Sequence, residues 1–124
     1  MRNYVLVFLG GGIGAMGRYW LSGYVYRWLP TTFPYGNIVV NISACFLIGL
    51  FMSALQERFV IQPELRVFLT IGILGGYSTF SSFSYETLAL LRSGEAVRAA
   101  LNIGISVGGG LGAAVLGMIT GSFI

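Results

Sequence analysis

The chain has 124 residues, enough for one domain, and its composition is 56% hydrophobic and 9% charged, with a mean hydropathy of +0.82. Soluble domains carry about a quarter of their residues as charges, so these figures exclude a soluble globular protein and leave an integral membrane protein. The net charge of +3 comes from scattered arginines, with no Asp, Lys or His anywhere; this is not a basic face, and it excludes nucleic acid as a partner.

About 20 mostly apolar residues cross roughly 30 Å of hydrocarbon. Four segments meet that length, at about 4–28, 36–56, 67–91 and 96–123, so the chain reads as one four-helix membrane domain over 1–124, all-α and multi-pass. Pro30 and Pro34 mark the first connection, the charged stretch 57–66 with Pro63 the second, and the turn 92–95 the third. The amino end does not read as a signal peptide, because glycines cut its apolar run and the run continues to a spanning length.

Within the first segment, Gly12, Gly14 and Gly17 form a GxGxxG pattern after an apolar run, which in another context marks a dinucleotide-binding turn. That turn needs an acid about 20 residues further on. The chain has no Asp and no Glu before Glu57, so the glycines read as packing residues instead. Gly10 and Gly14 stand at GxxxG spacing with Gly17 three further on, and this lets two membrane helices approach closely. Arg18 lies well inside this span. A charge at such depth costs at least about 2.5 kcal/mol and is a functional hypothesis by default. Two readings stand open, a structural residue that snorkels to the interface and a source of positive potential that draws an anion into a vestibule.

In the second segment Asn37 and Asn41 lie one turn apart, so their amides point the same way, either as interhelical glue or as donors lining a pore. Cys45 is the only cysteine; it excludes a disulfide framework or a thiolate metal spacing and reads as a small packing residue.

The third segment holds the most unusual stretch, 72–86, where Ser78, Thr79, Ser81, Ser82 and Ser84 interleave with Phe80 and Phe83 after the pair Gly75 and Gly76. It predicts a helix broken near its middle. Freed backbone is tolerated at membrane depth when it is buried in protein. Hydroxyls and amides offer O–H and N–H donors, and ring edges carry the positive end of the aromatic quadrupole; together these are anion ligands. Ordinary packing of both rings is the alternative. Glu86 closes the stretch, either as a proton or cation site or as a carboxylate neutralised by hydrogen bonds.

In the fourth segment Gly104, Gly108 and Gly112 form one small-residue series and Gly109, Ala113, Gly117 and Gly121 another, which predicts close neighbours on two sides. Asn102 and Ser106, spaced i, i+4, either bond to neighbouring helices or line a polar track. So many small and polar faces predict an oligomer. The loops indicate which one: Arg2, Arg58 and Arg66 fall on one side and Arg27, Arg92 and Arg98 on the other. Orientation is normally set by an excess of Lys/Arg in cytoplasmic loops. Equal charge predicts dual topology and an antiparallel homodimer.

Three motifs together resemble the fluoride channel family, the small dual-topology fluoride exporters of bacteria known as Fluc or CrcB proteins. They are G-G-x-G-A-x-x-R-Y over 11–19, P-x-G-x-x-x-V-N over 34–41, and the glycine-led aromatic and hydroxyl signature over 75–83. The resemblance implies a fluoride-selective channel, not an enzyme, in the cell inner membrane, passively exporting fluoride and so reducing its cytoplasmic toxicity. It implies an antiparallel dimer with two pores. In each pore Phe80 and Phe83 would be the fluoride-coordinating aromatics and Asn41 a donor, with Ser81 and Thr79 lining or supporting. Arg18 matches the motif's arginine and Glu86 the acid after the signature, and these form, with Asn37, Asn102 and Ser106, the vestibule and supporting set. The resemblance also implies a structural sodium ion held by main-chain carbonyls of Gly75 and Ser78 from both subunits. Ser78 and Ser82 stand where the signature usually has threonine, Asn37 where the family usually has threonine, and Ala44 where glycine is common. Two other classes are open to test. A small multidrug-type cation exporter should carry an acid in the first span, where this chain has Arg18, and an accessory membrane protein would need no aromatic and hydroxyl array.

Overall fold

In the computed structural model, which describes residues 1–57 and 61–124, the chain is helical apart from its connections, and no strand occurs among the described residues. Helix α1 spans Arg2–Val25 and α2 spans Tyr35–Glu57. The next rod is continuous but changes its winding: α3, Pro63–Arg66, passes into a π-helical segment, Val67–Leu74, and then into α4, Gly75–Tyr77. Ser78 and Thr79 are extended, and the chain turns helical again as α5, Phe80–Arg92, followed by α6, Ala96–Ser122.

Among the described residues three stretches are long and apolar enough to cross a membrane, Tyr35–Leu55, Pro63–Arg92 and Ala96–Ser122. Helix α1 is long enough, but glycines, Tyr and Trp residues and Arg18 dilute its hydropathy. Arg58, one of the arginines in the loop count, lies outside the described residues.

Local chemistry sets the helix ends. The Ile38 N–H bonds to the Pro34 carbonyl at 3.1 Å, so α2 begins from a buried proline that has no N–H to leave unpaired. Pro63 occupies the first position of α3, where its fixed φ suits a helix start, and Glu64 beside it favours the positive end of the dipole. Glu64 also pairs with Arg2, tying the amino end of α1 to this rod. Solvent-exposed pairs of this kind contribute about 0–1 kcal/mol. Helix α5 ends in a Schellman turn: Gly94 N–H bonds to Leu91 O at 3.1 Å and Glu95 N–H to Leu90 O at 2.9 Å, with Gly94 at φ 75°. That conformation suits glycine and folds α6 back along α5.

Packing then pairs α1 with the π-helical segment and α4, and α2 with α6. Small residues make both approaches possible. A methyl at Gly14 would fall on the Ile73 carbonyl and one at Gly117 on the Phe46 carbonyl; the backbones themselves are in contact there. Of the two glycine series on α6, Gly109, Gly117 and Gly121 meet α2, whereas Gly104, Gly108 and Gly112 have open space beside them. Within one chain the two-sided expectation is therefore met on one side only.

The interior is rich in small groups, Ala44, Ala54 and Ala99 among them, with Val40 fully enclosed and Ile38, Leu74 and Leu90 also buried, while Phe8, Tyr19, Trp20, Leu111 and Phe123 are exposed. An apolar exterior around a small-residue interior suits lipid as solvent, where close packing rather than water exclusion holds helices together. Together with the three apolar helices it makes this a membrane protein.

Candidate functional site

The site forms where α2 passes the extended pair Ser78 and Thr79. Thr79 is buried, and both of its main-chain polar groups are taken by one side chain: its N–H donates to Asn41 Oδ1 at 2.9 Å, and its carbonyl accepts from Asn41 Nδ2 at 3.1 Å. A continued α-helix would instead give the Thr79 N–H to the Gly75 carbonyl. Thr79 also caps α5, its Oγ1 accepting from the Ser82 N–H at 3.2 Å, an arrangement that satisfies one of the orphan donors of a helix start. The hydroxyl proton of Thr79 goes to Ser82 Oγ at 3.1 Å, and Ser81 Oγ lies 3.2 Å away. Ser78 Oγ donates back to Leu74 O at 3.1 Å, closing the end of α4.

A cavity of about 230 Å³ opens at this point, lined by Asn41, Cys45, Ser78, Thr79, Phe80, Phe83, Ser106 and Val107. The rings of Phe80 and Phe83 stand 5.4 Å apart at 41°. Phe83 is half-buried, whereas Phe80 is 77% exposed in the single chain. Among the described residues no carboxylate lines this cavity. The protons of its hydroxyls are engaged, Ser78 with Leu74 O, Thr79 with Ser82 Oγ and Ser106 with Asn102 Oδ1, so what it offers an anion is the Asn41 N–H left after Thr79 is served and the two aromatic rings.

A second recess, of about 600 Å³, holds Arg18, Ser22, Tyr26, Asn37 and Ser82. Arg18 forms no ion pair among the described residues, so its charge faces this recess uncompensated. Asn37 Nδ2 donates to Glu86 Oε1 at 2.7 Å, and Glu86 Oε2 is buried with no partner among the described residues. Glu86 borders a further recess of about 220 Å³ with Thr31, Ser93 and Glu95.

The structure thus gathers Asn41, Ser78, Thr79, Phe80, Phe83 and Ser106 at one cavity, and Arg18 and Asn37 at its neighbour. Ser81 is exposed and lies outside the cavity lining, reaching it only through Thr79. Asn102 is turned away: it is 1% exposed and its Nδ2 donates to Thr87 Oγ1 at 2.9 Å. Gly75 is exposed and helical, and Ser78 has ψ 155°, which swings its carbonyl out of the helical direction. Both asparagines of α2 are hydrogen-bonded within the chain, Asn37 to Glu86 on α5 and Asn41 to the extended backbone at Thr79.

Sequence reasoning read Cys45 as a packing residue and did not single out Val107 or Tyr77. Cys45 follows Asn41 by four residues and so shares its face on α2, a spacing that was there to be read. Tyr77 has no such signal. Its hydroxyl lies 2.8 Å from Ser43 Oγ, whose own proton goes to Val40 O at 2.8 Å, so Tyr77 is the donor and pins α4 to α2.

The family model of the CrcB-like protein, Camphor Resistance (CrcB), matches residues 5–118. The chain is 45% identical over 117 residues to a fluoride-specific ion channel FluC of Hydrogenovibrio crunogenus, covering 94% of this chain and 89% of that one. It is 46% identical over 120 residues to a protein of the same name from Geobacter metallireducens, covering 97% of each. A third, from Geotalea uraniireducens, is 48% identical over 104 residues, 84% of this chain and 82% of that one. Matched over nearly its whole length by both the family model and these relatives, the chain belongs to the CrcB family, a family of ion channels and not of enzymes.

Proposed function

We propose that the chain is a fluoride-selective channel that lets fluoride leave the cytoplasm passively across the inner membrane and so limits its toxicity. The observation that carries this reading is the cavity at the α4–α5 junction, lined by Asn41 with one N–H left free and by the rings of Phe80 and Phe83, with no carboxylate among the described lining residues. A strongly hydrated anion gives up its water there only if the replacement donors are already in place. The paired hydrogen bonds between Asn41 and Thr79 fix the amide that carries the remaining N–H. Arg18 raises the local potential in the adjoining recess and draws the anion in. Asn37 keeps one oxygen of Glu86 engaged.

In this reading 63–92 is one membrane-crossing helix broken at Ser78 and Thr79, and the four spans insert in both orientations and pair as an antiparallel homodimer with two pores. The partner covers Phe80, which a single chain leaves exposed. A sodium ion at the two-fold axis fits the donors present: hard cations take oxygen ligands, and the Ser78 carbonyl is turned outward while the Thr79 N–H, which would otherwise engage Gly75, goes to Asn41. Gly75 and Ser78 of each subunit would hold it, and the charge it supplies would steady the junction.

Purified protein in liposomes loaded with fluoride tests the reading. With an ionophore carrying the counter-charge, fluoride is released and chloride retained. Absence of fluoride release, or an equal chloride leak, would reject the channel. Phe80→Ile and Phe83→Ile each abolish throughput while the dimer still elutes intact; unchanged rates in both variants would make the rings packing residues only.

A further inference from the structure

Two polar residues buried behind the cavity wall have no part in the site described so far. Thr87 is 7% exposed and Asn102 is 1% exposed, and neither lines the cavity. Thr87 stands one turn after Phe83 on α5, and its Oγ1 donates to the Phe83 carbonyl at 2.7 Å. With its proton engaged there, the hydroxyl can only accept, and it accepts from Asn102 Nδ2 at 2.9 Å. This fixes which way the amide points, since the reverse orientation would set two acceptors face to face. Asn102 Oδ1 is then presented along α6, where Ser106 Oγ donates to it at 3.3 Å. A continuous chain of hydrogen bonds therefore runs behind the cavity from Phe83 on one wall to Ser106 on the other.

The buried apolar side chains of these two helices are Leu90 on α5 and Ala99 on α6, and neither is directional, whereas the Thr87–Asn102 hydrogen bond is. We infer that Thr87 and Asn102 are positioning residues for the anion pathway, holding Phe83 and Ser106 at a fixed separation across the cavity. The inference rests on the channel reading above and adds to it two residues that need not touch the ion.

The full chain in liposomes tests it, as wild type, Thr87→Val, Thr87→Ser, Asn102→Leu and the double variant Thr87→Val/Asn102→Leu, with thermal unfolding measured on the same preparations. Val keeps the shape of Thr and removes the hydroxyl, whereas Ser keeps the hydroxyl. Thr87→Val removes both hydrogen bonds of the hydroxyl, to Phe83 O and from Asn102, and slows fluoride release by at least about tenfold, the scale of a single buried hydrogen bond, whereas Thr87→Ser stays within about twofold of wild type. Because both single changes cut one chain, the double variant is no slower than the slower single one. A Thr87→Val protein that melts lower yet conducts like wild type per folded dimer would overturn the inference, since that is the behaviour of a purely structural contact. So would Thr87→Ser as slow as Thr87→Val. If Thr87→Val gives no folded protein, Asn102→Leu makes the same cut from α6 and its rate decides. Wild-type protein that releases no fluoride would overturn the channel reading as well, whereas wild-type release with unaffected variants removes the positioning role alone.

Discussion

At the junction of α4 and α5 the side chain of Asn41 does for Thr79 what a neighbouring helical turn would otherwise do, accepting from its N–H and donating to its carbonyl. Leaving a buried polar group unpaired costs about 1–3 kcal/mol, and Asn41→Ala would orphan two. The expected result is a loss of roughly 2–6 kcal/mol of stability, seen as a lower thermal midpoint in detergent, together with loss of fluoride release. A variant with wild-type stability would show that water or rearranged backbone serves Thr79 equally well. The sequence makes Asn41 conspicuous by its depth, and Phe80 and Phe83 by their spacing on one helix face. It cannot tell an amide that bonds to backbone from one that waits for an ion, because that depends on which atom the fold brings within 3 Å. Asn102 makes the same point. Its spacing from Ser106 was legible, but Thr87 as its partner follows from how α6 is rotated against α5.

Among the elements, the rod over 63–77 is the least ordinary. Its central Val67–Leu74 segment is π-helical, a winding found mostly as single-turn bulges at functional sites. It runs where α1 comes closest, with Gly10 and Gly14 facing Gly72 and Ile73. The glycine pattern predicted close approach and not the altered winding, since nothing in the side chains of V-F-L-T-I-G-I-L distinguishes a π-helix from an α-helix. Two glycines of α1 separate packing from propensity. A methyl at Gly14 would collide with the Ile73 carbonyl, whereas Gly12 has open space. Gly14→Ala should therefore cost about 1–3 kcal/mol through overpacking, and Gly12→Ala should gain up to about 1 kcal/mol from helix propensity. Thermal unfolding of the two variants side by side checks this. Equal effects would mean that the α1 contact is looser than it is drawn.

For the whole molecule, the faces left uncovered are as informative as the core. Phe80 is 77% exposed, and Gly104, Gly108 and Gly112 have open space beside them among the described residues. An inverted second copy would bring another α4–α5 junction to the same depth, which is the arrangement proposed above. Its test is orientation. With Cys45 replaced by Ala, a single cysteine introduced at Ser93 in the α5–α6 turn should react with a membrane-impermeant maleimide from both sides of the membrane in comparable yield. Labelling from one side only would rule out dual topology.

Composition alone determined that the chain is a helical membrane protein, because so few charges and so many apolar residues are stable only where lipid replaces water and every backbone group must be satisfied within helices. The local pattern also singled out Phe80, Phe83, Asn41 and Thr79 as the residues to examine. Tertiary structure decided their use. It set Cys45 and Val107 into the cavity lining, turned Asn102 away onto Thr87, and gave Asn37 to Glu86. Hydrogen bonds are directional and reach only about 3 Å, so which of several polar residues meet is fixed by helix rotation and register. In this chain those follow from backbone contacts at glycines, whose partners lie dozens of residues away in sequence.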